Sequence, residues 1–239
     1  MRYLVGHPRR SFLLCRIIVL ILSIFFIYTP FKSAFSTDLG ISSGLIKSSS
    51  YSGYEISFTG SYPMFSYKAL SISPALLGGL NQMASESESD VERNYKQIDE
   101  RFISLGIDTG VRLGSNFTFQ TGIFVGKLFS NQSDRKTSSD LNIEASLQDI
   151  SGIRYDIKPS VNYQISDTNV YLSLVFNYSI HEYNINKDPE ISGERLTNEG
   201  KFSITSSQKN SFKLIEKNTP SFKSRRESFG TSFGITIKI

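Results

Sequence analysis

The segment from Ser228 to Ile239, SFGTSFGITIKI, divides by twos into two unlike faces. Phe229, Thr231, Phe233, Ile235, Ile237 and Ile239 fall on one side, and Gly230, Ser232, Gly234, Thr236 and Lys238 on the other. A period of two is that of a β-strand with one face in apolar surroundings.

The same period recurs upstream. In GIRYDIKPSVNY, Ile153, Tyr155, Ile157, Pro159, Val161 and Tyr163 oppose Arg154, Asp156, Lys158, Ser160 and Asn162. In NVYLSLVFNYSI, Val170, Leu172, Leu174, Phe176, Tyr178 and Ile180 oppose Tyr171, Ser173, Val175, Asn177 and Ser179. FISLGIDTGVRL, FTFQTGIFVGK and YEISFTGSY alternate likewise, and weaker strands fit 38–46 and 68–79, where Pro74 disturbs the pattern. The spacing predicts eight strands, at about 38–46, 53–62, 68–79, 102–113, 117–128, 152–164, 169–180 and 228–239. Such lengths suit tilted strands that cross a bilayer. The connections after the second, fourth and sixth strands are short, and 80–101, 129–151 and 181–227 read as long polar loops. That alternation predicts an all-β, antiparallel, up-and-down transmembrane barrel with short periplasmic turns and long extracellular loops.

The polar face decides between a lipid-facing and a water-facing barrel. A water-facing sheet carries many charges. Here that face holds Gly106, Gly110, Gly122, Gly126, Gly230 and Gly234. Small residues suit the interior of an eight-stranded barrel, which side chains just fill. The charges sharing this face, Glu55, Asp108, Arg112, Arg154, Asp156, Lys158 and Lys238, are expected to pair across the lumen as a plug. The other reading of the same set is the lining of a narrow channel. On the apolar face Tyr54, Tyr62, Tyr155, Tyr163 and Tyr178 lie near strand ends, where an aromatic girdle belongs.

The chain's net charge of +4 is misleading. Residues 1–36 hold Arg2, Arg9, Arg10, Arg16 and Lys32 and no acid, so their removal leaves the rest at −1. Arginines, then the apolar run 17–28, then small Ala34 and Ser36 predict a secretory signal cleaved after Ser36, with the barrel at 37–239. The near-neutral remainder gives no case for nucleic acid. Cys15, the only cysteine, precedes the apolar run, so the exported chain has no disulfide, thiolate metal site or cysteine nucleophile. No metal or cofactor is expected.

With the polar, glycine and apolar positions Ser232, Gly234, Ile237 and Ile239, the last strand resembles the C-terminal signal of bacterial outer-membrane barrels. Ile239 stands where that signal usually has Phe. The whole of 37–239 resembles the small eight-stranded barrels of the OmpA, OmpX and opacity-protein type, including porin-family and surface-antigen members. The resemblance implies an outer-membrane protein with extracellular loops and periplasmic termini. It also implies recognition of the last strand by the barrel assembly machinery, closure of that strand on the first, and contact with outer-membrane lipid and lipopolysaccharide.

A structural, adhesive or antigenic role in the loops, with a host-cell receptor as partner, is the leading expectation. Lys201, Lys209, Lys213, Lys217, Lys223, Arg225 and Arg226 predict a basic surface loop, and Phe202 and Ile204 an extension of the barrel hairpin above the membrane. Glu86, Glu88, Asp90 and Glu92 read as a solvated acidic loop, because they lack a calcium-loop spacing. A porin-like channel is the alternative. A lipid A-modifying enzyme using Ser179 and His181 is the least favoured, since neither a third group nor oxyanion donors can be placed.

Overall fold

The computed structural model describes residues 37–67, 69–88, 92–139, 141–166, 168–186, 189–197, 200–205, 222 and 224–239. The expected leader at 1–36 and Asp90, Lys209, Lys213, Lys217 and Lys223 lie outside these residues. Among the described residues eleven strands form one sheet: β1 (Asp38–Ser48), β2 (Tyr51–Ser61), β3 (Phe65–Tyr67), β4 (Leu70–Glu88), β5 (Glu92–Leu113), β6 (Phe117–Ser138), β7 (Leu141–Gln164), β8 (Val170–Asn184), β9 (Glu190–Thr197), β10 (Gly200–Thr205) and β11 (Arg225–Lys238).

Eight of them close a ring in the order β1-β2-β4-β5-β6-β7-β8-β11, every seam antiparallel. The fold is an eight-stranded antiparallel β-barrel. Its closing seam joins the last strand to the first, from Asp38↔Lys238 to Lys47↔Phe229. Thr37 and Ile239 exchange both backbone hydrogen bonds, at 2.9 and 3.0 Å. A closed ring leaves no unpaired edge where strands meet lipid.

Leu45, Phe58, Leu105, Ile123, Ile157, Phe176 and Phe233 point outward and are exposed. Glycine and serine line much of the inside. A Cβ on Gly126 would lie 2.0 Å from the Ile103 carbonyl oxygen and 2.3 Å from Ser104 Cα, so only glycine fits there.

The expected loops at 80–101 and 129–151 are instead strand over most of their length. β4 and β5 stay paired up to Glu88↔Arg93, and β6 and β7 up to Thr137↔Asn142. Residues 92–102 of β5 carry the ladder about 35 Å beyond Ile103, at ~3.3 Å per residue. Part of 181–227 is strand as well. β8 runs on to Asn184, and β9 and β10 form a hairpin whose first strand takes over pairing with β7 at Leu141–Ser146. By contrast β1 and β2 are joined by Ser49 and Ser50 alone. The barrel mouth therefore has a raised wall, β4 to β7 with β9 and β10, and a low side at β1 and β2.

A bulge interrupts the wall. Pairing of β6 with β7 shifts between Ser130 and Gln132, and Asp149 takes a φ of 55°. Its N–H is satisfied by Asn131 Oδ1 at 2.9 Å. The inserted residue reverses the parity, so that Leu147 and Ile150 both face inward.

Candidate functional site

The lumen is crossed by two adjoining polar layers, with an apolar cluster packed beside them. The first layer starts from Arg154 on β7, fully buried. Its Nη2 reaches Glu55 Oε2 at 2.7 Å, and its Nε donates to both Asp156 oxygens at 2.8 and 2.9 Å. Lys158 Nζ lies 2.6 Å from Glu55 Oε1, and Asn177 Nδ2 donates to Glu55 at 3.2 Å. Ser179 donates to Asp156 and accepts from Arg154 at 3.1 Å. β2 and β7 stand opposite each other in the ring, so these bonds span its full width. Two acids and two bases make the layer neutral, which is what allows charge inside a wall that meets lipid. The Arg154 guanidinium also lies over the Phe102 ring, 3.6 Å from its centroid.

Phe102 belongs to an apolar cluster with Ala75, Leu77, Phe124, Leu128, Leu147, Ile150 and Tyr183. The second polar layer gathers round Glu100 of β5. Arg226 of β11 and Tyr183 of β8 bond to Oε1, and Asn81 Nδ2 donates to Oε2 at 3.0 Å. His181 Nδ1 is 3.1 Å from Glu100 Oε2, and Nε2 is 3.0 Å from Ser228 Oγ. A carboxylate can only accept, so Nδ1 carries the proton and donates to Glu100, while Nε2 accepts from Ser228. The 3.3 Å approach of Arg226 Nη2 to Nδ1 is then proximity between two donors, not a bond. β5 and β11 also face each other across the ring, so the second layer is a second crossbar.

The sequence-predicted lumen set divides. Glu55, Arg154, Asp156 and Lys158 meet in the first layer. Asp108 faces a lower cavity of about 60 Å³ shared with Gln120, Lys158 and Asn162. Arg112 leaves the lumen at the bottom rim, where it is exposed and donates to the Ser115 carbonyl at 2.8 Å. Lys238 is exposed at the foot of β11, its Nζ 5.4 Å from the Tyr171 ring centroid. Of the predicted basic loop, Arg225 faces outward toward Glu227 at 3.3 Å and Lys201 falls on β10. Arg226 does not belong to a loop surface, because it is buried in the second layer. Sequence reasoning missed Glu100, Asn177 and Tyr183. Counting back by twos from Phe229 puts Arg226 inside, and counting back from Phe102 does the same for Glu100.

Ser179 and His181 share the inward face but do not meet. Ser179 belongs to Asp156 and Arg154, and His181 to Glu100 and Ser228. The line Ser228–His181–Glu100 has the order of nucleophile, base and acid. Ser228 is 2% exposed, however, and Glu100 is bound by three further donors. A nucleophile needs a place for substrate beside it, so these bonds act as a crosslink between β5, β8 and β11.

Ser232 is buried against Gly44 across the closing seam, Gly234 sits opposite Ser42, and Ile237 and Ile239 are exposed outward. On the wall, Glu88 pairs with Arg93 at 2.6 Å and Lys96 with Asp134 at 2.8 Å. Glu86 stands at the exposed top of β4. Among the described residues no group of three or more metal-ligating side chains converges.

No protein-family model and no curated protein matches the chain. Among solved structures it is similar to a major outer membrane protein from Thermus thermophilus, at 11% identity and a TM-score of 0.46, over 85% of this chain and 99% of that one. It is similar to the outer membrane protease OmpT from Escherichia coli at 6% identity and a TM-score of 0.44, over 87% and 99%. Similarity to Neisserial surface protein A is at 13% identity and a TM-score of 0.39, over 87% and 98%. These likenesses concern the fold alone.

Proposed function

We propose that the protein is a bacterial outer-membrane β-barrel with a structural, adhesive or antigenic role, its raised wall projecting outside the cell and serving as the contact surface. The observation that carries this reading is the inverted barrel itself. Apolar side chains cover the outside of the ring while four paired charges lie fully or almost fully buried within it. In water that arrangement leaves the largest apolar surface unburied. In a bilayer it satisfies every strand. On this reading both termini are periplasmic, the tight turns at 113–117 and 164–170 face the periplasm, and the assembly machinery reads the last strand. A host-cell receptor would meet the wall.

The packed lumen favours this reading over a channel, because the charges of both polar layers are engaged with each other. It also favours it over a lipid A-modifying enzyme, because Ser179 and Ser228 are both committed inside. The test is a gel of the natively extracted protein with and without heating, with protease added to intact cells. A heat-dependent mobility shift and cleavage confined to 80–101, 129–151 and 181–227 are expected. A soluble periplasmic protein with no shift would overturn the proposal. Discrete single-channel conductance in planar bilayers would establish the pore instead.

A further inference from the structure

The outer surface of the barrel carries an open apolar groove. Across β2, β1, β11, β8 and β7 lies a groove of about 1230 Å³ walled by Leu45, Tyr54, Phe176, Phe229 and Phe233. That exceeds the ~300–1,000 Å³ of compact small-molecule pockets, and suits a long apolar ligand better than a compact one.

Gly44, Gly53 and Gly230 form part of the groove. A Cβ on Gly44 would lie 2.0 Å from the Thr231 carbonyl oxygen, and one on Gly53 would lie 1.9 Å from that of Gln82. Both positions face the lumen, where only glycine lets the strands pack this closely, so the wall behind the groove is thin. Pro159 lies in the same groove. It has no N–H to give, and pairing of β7 with β8 breaks between Ile157↔Tyr178 and Ser160↔Val175.

Lys47 is the one charged side chain among the groove's described lining residues. It sits at the upper end, opposite Phe229, whose ring packs on Tyr178 at 4.8 Å. That is the level of the aromatic girdle, where lipid headgroups lie. A second copy in the same membrane orientation would bring this face against itself and set Lys47 against Lys47. An anionic headgroup complements it.

We propose that the groove seats a phosphate-bearing lipid of the outer leaflet, its acyl chain along Leu45, Phe176 and Phe233 and its phosphate at Lys47. This rests on the outer-membrane reading above. The chain has no tryptophan, so a single one reports its own surroundings. Phe176→Trp places it in the groove, and Leu105→Trp places it on the opposite wall. Phe233→Trp replaces Phe176→Trp should the latter fail to fold. Each full exported barrel is reconstituted in phosphatidylcholine vesicles with one tenth brominated phosphatidylglycerol, or one tenth brominated phosphatidylcholine. With phosphatidylglycerol the groove reporter is expected to sense about fivefold local enrichment over the Leu105→Trp reporter, the effect of one cation near a phosphate. Lys47→Gln should remove it, and brominated phosphatidylcholine should show none. Equal quenching of both reporters would refute the seat and leave the membrane reading intact. A groove reporter shielded from either lipid would mean that a second copy covers it, and the lipid seat falls. Quenching at neither reporter would overturn the membrane reading as well.

Discussion

The barrel wall below the level of Phe129, Ile153, Tyr178 and Phe229 and the wall above it are one continuous ladder with different side-chain patterns. Below, each strand sends apolar groups outward and small or charged groups inward. Above, β4 to β7 keep the same hydrogen bonding, but their outward residues include Arg93, Gln97 and Arg135, while Met83, Ile98 and Ile143 are buried inside. The ladder is indifferent to its solvent, but the side chains are not. Where lipid surrounds the sheet, apolar means outward, and where water surrounds it, the polarity turns over.

The comparison breaks first at the crossbars. Arg154→Ala leaves Glu55 with Lys158 as its one cation and Asp156 with none, all buried. A loss of about 3–5 kcal/mol is expected, read as a lower urea midpoint in vesicles or as absence of the folded band on an unheated gel. Leu105→Arg, on the lipid face, should cost about 2–4 kcal/mol. The matched change Ser133→Arg on the wall should stay within about 0.5 kcal/mol, so equal effects would show that the two regions share one solvent. His181→Phe keeps a ring but removes the links to Glu100 and Ser228, and should cost about 1–3 kcal/mol. A midpoint unchanged from wild type would mean that the second layer bears no load. Arg93→Ala, at the exposed tip of β5, should shift the midpoint by less than about 0.5 kcal/mol.

The same turnover explains what the sequence could tell. Within the belt, one solvent on each side keeps the two-residue period sharp. Eight strands and the inward placement of Glu55, Arg154, Asp156 and Lys158 follow from it, while the closing seam came only from the last strand's resemblance to the outer-membrane C-terminal signal. Above the belt both faces carry polar groups, so 80–101 and 129–151 lost their period and looked like loops although they are paired. Arg225 and Arg226 are chemically identical neighbours on opposite faces, and only counting from Phe229 separates them. The bulge at Asp149 was beyond reach, because an inserted residue resets the parity and nothing in the sequence marks where. Partners such as Glu100 with Arg226 lie on opposite walls, and period two orders residues along a strand, not across a lumen.

The seam between β1 and β11 bears on how the barrel forms in time. Most other joints of the ring lie between strands adjacent in sequence, and several are closed by only a few residues. Lys47↔Phe229 joins residues at the two extremes of the barrel. The entropic cost of closing a loop rises with the logarithm of its length, and non-local pairings slow folding. On that ground the hairpins are expected to zip early and the seam to come last. Until it shuts, Leu45 and Phe229 stand on unpaired edges. A delay at that step exposes two strands ready to pair with another chain, so the slowest joint is also the one where assembly is most open to error.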